Sequence, residues 1–244
     1  MRVVLFVSRL TFVPNNYHDF LKPLIASPHV VAVVTVDNLN WSFKLKAYAL
    51  CLTGFASRLG FQLLENMNPK YLKEKQTLCE AHGKKMILTE NPHELEVLQT
   101  LKELKPDYFV NARTRTFFRK TLLSLPSKKS LNIHHGLLPD QRGLMCDFWG
   151  LHNNEPSGFT IHEMTSQLDA GRIYFKQVTT PHLDGYLKQT QSSAAQEAQA
   201  VIKILEQIEA GYEGHPNAKT SSTRYYSNPG LGDFLRFYLK GQKF

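Results

Sequence analysis

Asn132, His134 and Asp169 are the side chains best suited to move protons beside a developing negative charge. Asn132 and His134 close a short apolar run, S-L-N-I-H at 130–134, that reads as a buried strand. Side chains alternate along a strand, so positions 132 and 134 share a face. At the strand's C-terminal end they would project into the crevice where open α/β sheets bind ligands. Gly136, Pro139 and Gly143 then force a loop, and Asp169 sits in a turn closed by Gly171. An amide that can donate to an oxyanion, an imidazole that titrates near neutrality and a carboxylate could thus meet at one point. Each has a plainer reading: N-x-H as a structural pair and D-x-G as an ordinary turn.

The elements that must position them alternate along the chain. Strands are expected at 3–7, 29–36, 84–88, 107–111 and 130–134, with helices at 17–26, 69–82, 93–104 and 118–125. A further strand pair is expected at 159–164 and 172–177, added at one edge. That order implies an α/β fold with a mainly parallel twisted sheet and helices on both faces. The first strand lacks a following G-x-G-x-x-G, so no dinucleotide site is indicated. Residues 41–63 form an apolar seam at three-four spacing (Trp41, Leu45, Tyr48, Leu52, Phe55, Leu59, Leu63), which predicts a core helix or a helical hairpin broken near Gly54. A partly open seam that meets a membrane or substrate is the alternative. The expected boundaries are 1–180 for the main domain, with a helical insertion at 40–82, and 181–244 for a C-terminal extension. The extension reads as a helix (185–210), a loop and a short basic helix (231–239).

A chain of 244 residues, 42% of them hydrophobic, can bury one large core. The net charge of +8 suits an acidic ligand, nucleic acid or an anionic membrane, but the basic residues are scattered and form no nucleic-acid stripe. Cys51, Cys79 and Cys146 are odd in number and show no C-x-x-C spacing. A reducing cytoplasm is therefore expected, and neither a disulfide framework nor a metal site. The N-terminal apolar run is too short for a signal peptide.

Taken together, N-I-H (132–134), L-L-P-D-Q-R-G (137–143), G-F-T-I-H (158–162), L-D-A-G (168–171) and P-D-Y-F-V-N-A (106–112) resemble the folate-dependent formyltransferase family. The resemblance covers about residues 1–180. It implies a formyltransferase-like sheet, Asn132, His134 and Asp169 as the catalytic trio, and 10-formyltetrahydrofolate as donor. An amine would attack the formyl carbon, Asn132 would donate to the oxygen, and His134 or Asp169 would take the proton. The same resemblance puts the pterin pocket in two loops, with Thr114, Arg115, Thr116, Phe117 and Phe118 in the first and Thr165, Gln167 and Leu168 in the second. Arg113, Arg115, Arg119 and Lys120 would attract the donor's glutamate carboxylates, or else lie on solvated surface. Ser8, His135, Gly136 and Arg142 are expected on the acceptor side.

Three functions stay open. One is transfer to an amine of a small or lipid-linked acceptor, with peripheral membrane contact. The second is hydrolysis of the donor, since N-I-H-H also occurs in formyltetrahydrofolate hydrolases. The third is a non-catalytic folate-fold binding protein. A tRNA acceptor is not expected, because only about 65 residues follow the core.

Overall fold

The computed structural model describes residues 1–179 and 184–244. Its frame is a seven-stranded sheet in the order β3-β2-β1-β4-β5-β7-β8. The five parallel strands are β1 (Val3–Ser8), β2 (Val30–Val36), β3 (Lys85–Thr89), β4 (Tyr108–Ala112) and β5 (Lys129–His134). The edge pair is β7 (Ser157–Glu163) and β8 (Ile173–Thr179), antiparallel to β5 and to each other. The short β6 (Gln141–Gly143) stands apart from this sheet. The expected α/β class and the edge pair are both present.

Alternation along the strands sorts the core into two layers. Val3, Leu5, Val7, Val110, Leu131 and Ile133 pack with α1 (His18–Ala26) and α8 (Tyr186–Glu209) on one face. Val4, Phe6, Val34 and Phe109 pack with α5 (Leu95–Glu103) and α6 (Lys120–Leu123) on the other. The domain boundary expected at 180/181 lies outside the described residues. On its far side, α8 puts Ala194, Ala198, Val201 and Ile204 into the main core.

The seam at 41–63 resolves into a hairpin of α2 (Trp41–Cys51) and α3 (Ser57–Asn66), followed by α4 (Pro69–Ala81). Thr53 makes the break: its Oγ1 donates to Leu50 O at 2.7 Å and accepts from Ala56 N at 3.1 Å. A side chain at Gly60 would meet Cys51 N at 2.5 Å, so glycine lets the two helices touch. The break lies beside Gly54, the point at which the hairpin alternative divides the seam. Ala47, Leu50, Leu59 and Leu63 enter a third apolar cluster with α7 (Cys146–His152) and α9 (Leu231–Leu239), while Trp41, Leu45, Tyr48 and Leu52 face solvent. No element is expected over α7, while β9 (Arg224–Tyr226) falls in the predicted C-terminal loop and pairs in parallel with β6.

Candidate active site

The register of the sheet sets a row of polar side chains across three strands. Asn132 on β5 lies opposite Asn111 on β4 and opposite His162 on β7. Asn111 Nδ2 donates to Asn132 Oδ1 at 2.8 Å, and Asn132 Nδ2 lies 3.1 Å from His162 Nε2. His162 Nδ1 is 2.8 Å from Glu163 O. A carbonyl only accepts, so Nδ1 carries that ring's hydrogen and Nε2 accepts from Asn132. The amide of Asn132 is thereby fixed with its oxygen on Asn111 and its nitrogen on His162, and all three residues line the cleft. Among the described residues only the His162 bond engages that nitrogen, which leaves its second hydrogen for a ligand.

His134 closes β5 and is 5% exposed. Its Nε2 lies 2.7 Å from Gln141 O, so by the same argument Nε2 is the donor. The loop can fold back this closely because Gly136 has no side chain: a Cβ there would sit 2.7 Å from His134 Nε2 and 2.5 Å from Cys146 Cβ. Nδ1 faces Asp169, 3.5 Å from Oδ1. Burial lowers the pKa of His134 from its ordinary value, and the attraction of Asp169 offsets this only in part. The ring is thus neutral near pH 7 with its lone pair on Nδ1.

Asp169 sits at φ 51° in the turn after β7. Its Oδ2 accepts from Gly143 N at 2.9 Å, and its Oδ1 is 3.6 Å from His162 Nε2. Burial raises its pKa, but His162, His134 and the Gly143 N–H outweigh that, and the carboxyl falls well below its usual range. Its charged, carboxylate form is therefore the favoured one. The turn is strapped from the C-terminal segment: Asn217 Nδ2 donates to Asp169 O and Gly171 O, both at 2.9 Å.

These groups border a cleft of about 390 Å³ at the ends of β1, β4 and β5. Thr114, Arg115, Thr116, Phe117 and Phe118 line one side, and Thr165, Gln167, Leu168 and Asp169 line another. The structure therefore gathers both predicted loops and the predicted trio around one space. Phe117, Phe118, Met164 and Leu168 give that space apolar surface beside the polar row, a lining suited to a flat heterocycle with polar edges.

The acceptor-side residues divide. His135 lines the cleft, but Ser8, Gly136 and Arg142 are not part of its lining. Ser8 Oγ donates to Arg113 O at 2.9 Å, and Arg142 is 2% exposed with its Nη2 on Asn217 Oδ1 at 2.9 Å. Both hold backbone and strap together, because their donors are spent inside the protein. Arg113 also departs from expectation. Its side chain is 7% exposed and points away from solvent, 3.6 Å from Asp147 Oδ2 and 3.8 Å from Glu197 Oε1. It lies over the rings of Phe12 and Tyr17. Glu197, wholly buried on α8, also takes His135 Nε2 at 3.2 Å and hydrogen bonds from Tyr17 and Ser193. Burial raises its pKa, but His135, Arg113 and Tyr17 together bring it down to about 2. Arg119 and Lys120 remain exposed.

The cleft thus has two walls. One is lined by Asn132, His134, His162 and Asp169; the other is lined by Arg113, His135 and Asp147, with Glu197 buried behind Arg113 and His135. His162, Asn111, Asp147 and Glu197 are absent from the expectations drawn from sequence. For Glu197 a signal exists: it is an acid on the buried stripe of α8, between Ala194 and Val201. Among the described residues no group of three His, Cys, Asp or Glu could hold a metal ion, and no helix is long and apolar enough to cross a membrane.

The family model described as "Formyl transferase" matches residues 60–205. A methionyl-tRNA formyltransferase from Sulfurihydrogenibium is 30% identical over 118 residues, 48% of this chain and 38% of that protein. The chain spans well under half the length of the curated relatives it matches first. Among solved structures, a sugar N-formyltransferase from Shewanella superposes with a TM-score of 0.57 at 18% identity, over 97% of this chain and 87% of that one. HypX from Aquifex aeolicus, solved in complex with tetrahydrofolic acid, gives 0.55 at 15% identity, over 94% of this chain and 30% of that one. At these identities the two structures speak for the fold.

Proposed function

Because the chain belongs to the formyl transferase family, we propose that it moves a formyl group from 10-formyltetrahydrofolate to an amine of a small or lipid-linked acceptor. The observation that carries this reading is what remains once the fixed bonds are counted. Asn132 keeps one amide hydrogen, and His134 keeps the lone pair on Nδ1, on one wall of one cleft.

The donor, when bound, supplies an electrophilic formyl carbon on a nitrogen that must leave protonated. The loops Thr114–Phe118 and Thr165–Leu168 would hold its pterin, a role supported by their shared, partly apolar lining. Asn132 Nδ2 donates to the formyl oxygen as negative charge grows there, and the Asn111–His162 row keeps the amide from rotating away. His134 Nδ1 takes the proton from the attacking amine. Asp169 stabilises the imidazolium so formed, and its own low pKa keeps it from competing for that proton. His134 then returns the proton to the leaving nitrogen. His135 lines the same cleft with its Nε2 engaged by Glu197, which suits acceptor placement better than proton transfer. We place the protein in the cytoplasm, in keeping with its three free cysteines.

The test is to incubate pure protein with 10-formyltetrahydrofolate and a panel of amino-sugars, amino-acid derivatives and amino-lipids. Tetrahydrofolate, N-formyl product and free formate are followed separately. Amine-dependent turnover with an N-formyl product is expected. Free formate without an amine would replace the reading by hydrolysis, and no turnover with any acceptor would overturn it.

A further inference from the structure

The α2–α3 hairpin presents an apolar face that none of the described residues covers. Trp41 is 70%, Leu45 52%, Tyr48 57% and Leu52 88% exposed, and together they make one stripe along α2. Phe61 on α3 adds another exposed ring at 62%. The opposite side of the same hairpin, through Ala47, Leu50, Leu59 and Leu63, is rooted in the third apolar cluster. The stripe is therefore held rigidly outward and is not a fraying end. Charge on the hairpin is mainly basic: Lys44, Lys46 and Arg58 stand against one acid, Glu65 near the end of α3, which pairs with Lys70 at 2.6 Å.

We propose that this face docks the protein on an anionic lipid bilayer. An interfacial helix needs large apolar side chains to enter the acyl boundary and basic ones to meet the headgroups. Tryptophan and tyrosine suit the headgroup level, and lysine stems can lie along apolar surface with the ammonium in the polar layer. A second copy of this chain is less favoured, because it would set two such faces against each other, each with three basic residues and a single acid already paired to Lys70. The stripe is also next to the chemistry. Phe43 on α2 and Asn38 just before it line the cleft, so docking brings the cleft mouth to the bilayer surface. The docking claim stands on the surface alone and does not need the formyl-transfer reading.

The test is flotation with phosphatidylcholine vesicles, with and without phosphatidylglycerol, together with tryptophan fluorescence and sizing of the free protein. Binding is expected to the anionic vesicles and not to the neutral ones, and it should weaken with salt, because each basic residue near such a surface contributes about fivefold. Emission should shift to the blue in wild type but not in Trp41→Phe, since the other tryptophan, Trp149, stacks internally on Tyr226. The triple variant Leu45→Glu, Tyr48→Glu, Leu52→Glu changes only exposed positions and should fold. It should lose at least about tenfold in vesicle affinity, and its turnover of a water-soluble acceptor should be unchanged. A folded wild-type monomer that floats with neither vesicle would overturn the proposal. So would a dimer that the triple variant splits, which would assign the face to a second copy. In both cases turnover of the soluble acceptor would still report on the proposed chemistry separately.

Discussion

Asn132→Asp is the sharpest probe of the polar row. The replacement has the same shape, and its oxygen can still accept from Asn111 Nδ2, now at 2.8 Å from the amide oxygen. It cannot donate to His162 Nε2, and it offers no hydrogen to the formyl oxygen. Removing one donor from an oxyanion site costs about 10²–10³ in kcat, or about 2.7–4 kcal/mol. A carboxylate facing the growing negative charge should cost no less, so a kcat loss of at least about 10²-fold is expected, with KM for the donor little changed. Asn132→Ala removes the same donor but leaves the buried Asn111 Nδ2 without its acceptor, which adds roughly 1–3 kcal/mol of instability. Both variants should be poor in rate, and both should melt lower, since Asp strands His162 Nε2 and Ala strands Asn111 Nδ2 as well. Steady-state formation of tetrahydrofolate at saturating acceptor, with a thermal melt for each protein, reads both quantities. An Asn132→Asp enzyme within tenfold of wild type would refute the assignment of this amide to the oxyanion.

Other outcomes follow from the same geometry. In the proposed mechanism His134 works as the neutral base, and burial lowers its pKa below the ordinary 6.5. The profile of kcat against pH should thus hold on the alkaline side and fall only below 6.5, as pH drops through the folded value; a limb above 6.5 would contradict a buried, neutral His134. Lys75 is 1% exposed on α4, with its Nζ on Ser8 O at 2.9 Å, and burial lowers its pKa to about 7 from 10.5. Between those values the unfolded chain binds more protons, so stability should rise with pH across that window, and denaturant titrations of Lys75→Met should show a smaller rise than wild type. Gly171→Ala would put a Cβ 2.0 Å from Glu163 O, and the turn must shift to relieve it. A stability loss of about 1–3 kcal/mol is expected by calorimetry, with a fall in kcat as Asp169 moves; an unchanged rate would show that the carboxylate position is not critical.

Much of the frame was legible because alternation and apolar runs are local signals. Asn132 and His134 fall on one face of β5 by parity alone. His162 was not legible in the same way, because its place beside Asn132 depends on how β7 registers against β5. Arg113 read as part of a basic loop, since nothing near it in the chain announces Glu197, which lies on a helix 84 positions later. The seam at 41–63 carried the right period for a helix. Gly54 marked where it could break into a hairpin, but the period did not reveal which half would be buried against α7 and α9 and which left uncovered. In each case the missing term was a contact between segments far apart in the sequence.

The strap from Asn217 has a consequence for how this protein can be rebuilt. Asp169 owes its position to residues outside the stretch 60–205 that the family model matches: Asn217 holds the backbone of its turn, and β9 pairs with the strand that contains Gly143. The acid is therefore not a portable part. A chimera that joins residues 1–210 to a foreign tail would keep the sheet, the apolar core and all three chemical groups, yet lose the brace on one of them. Any transplant of this chemistry must carry 213–228 with it, although no reacting atom lies there.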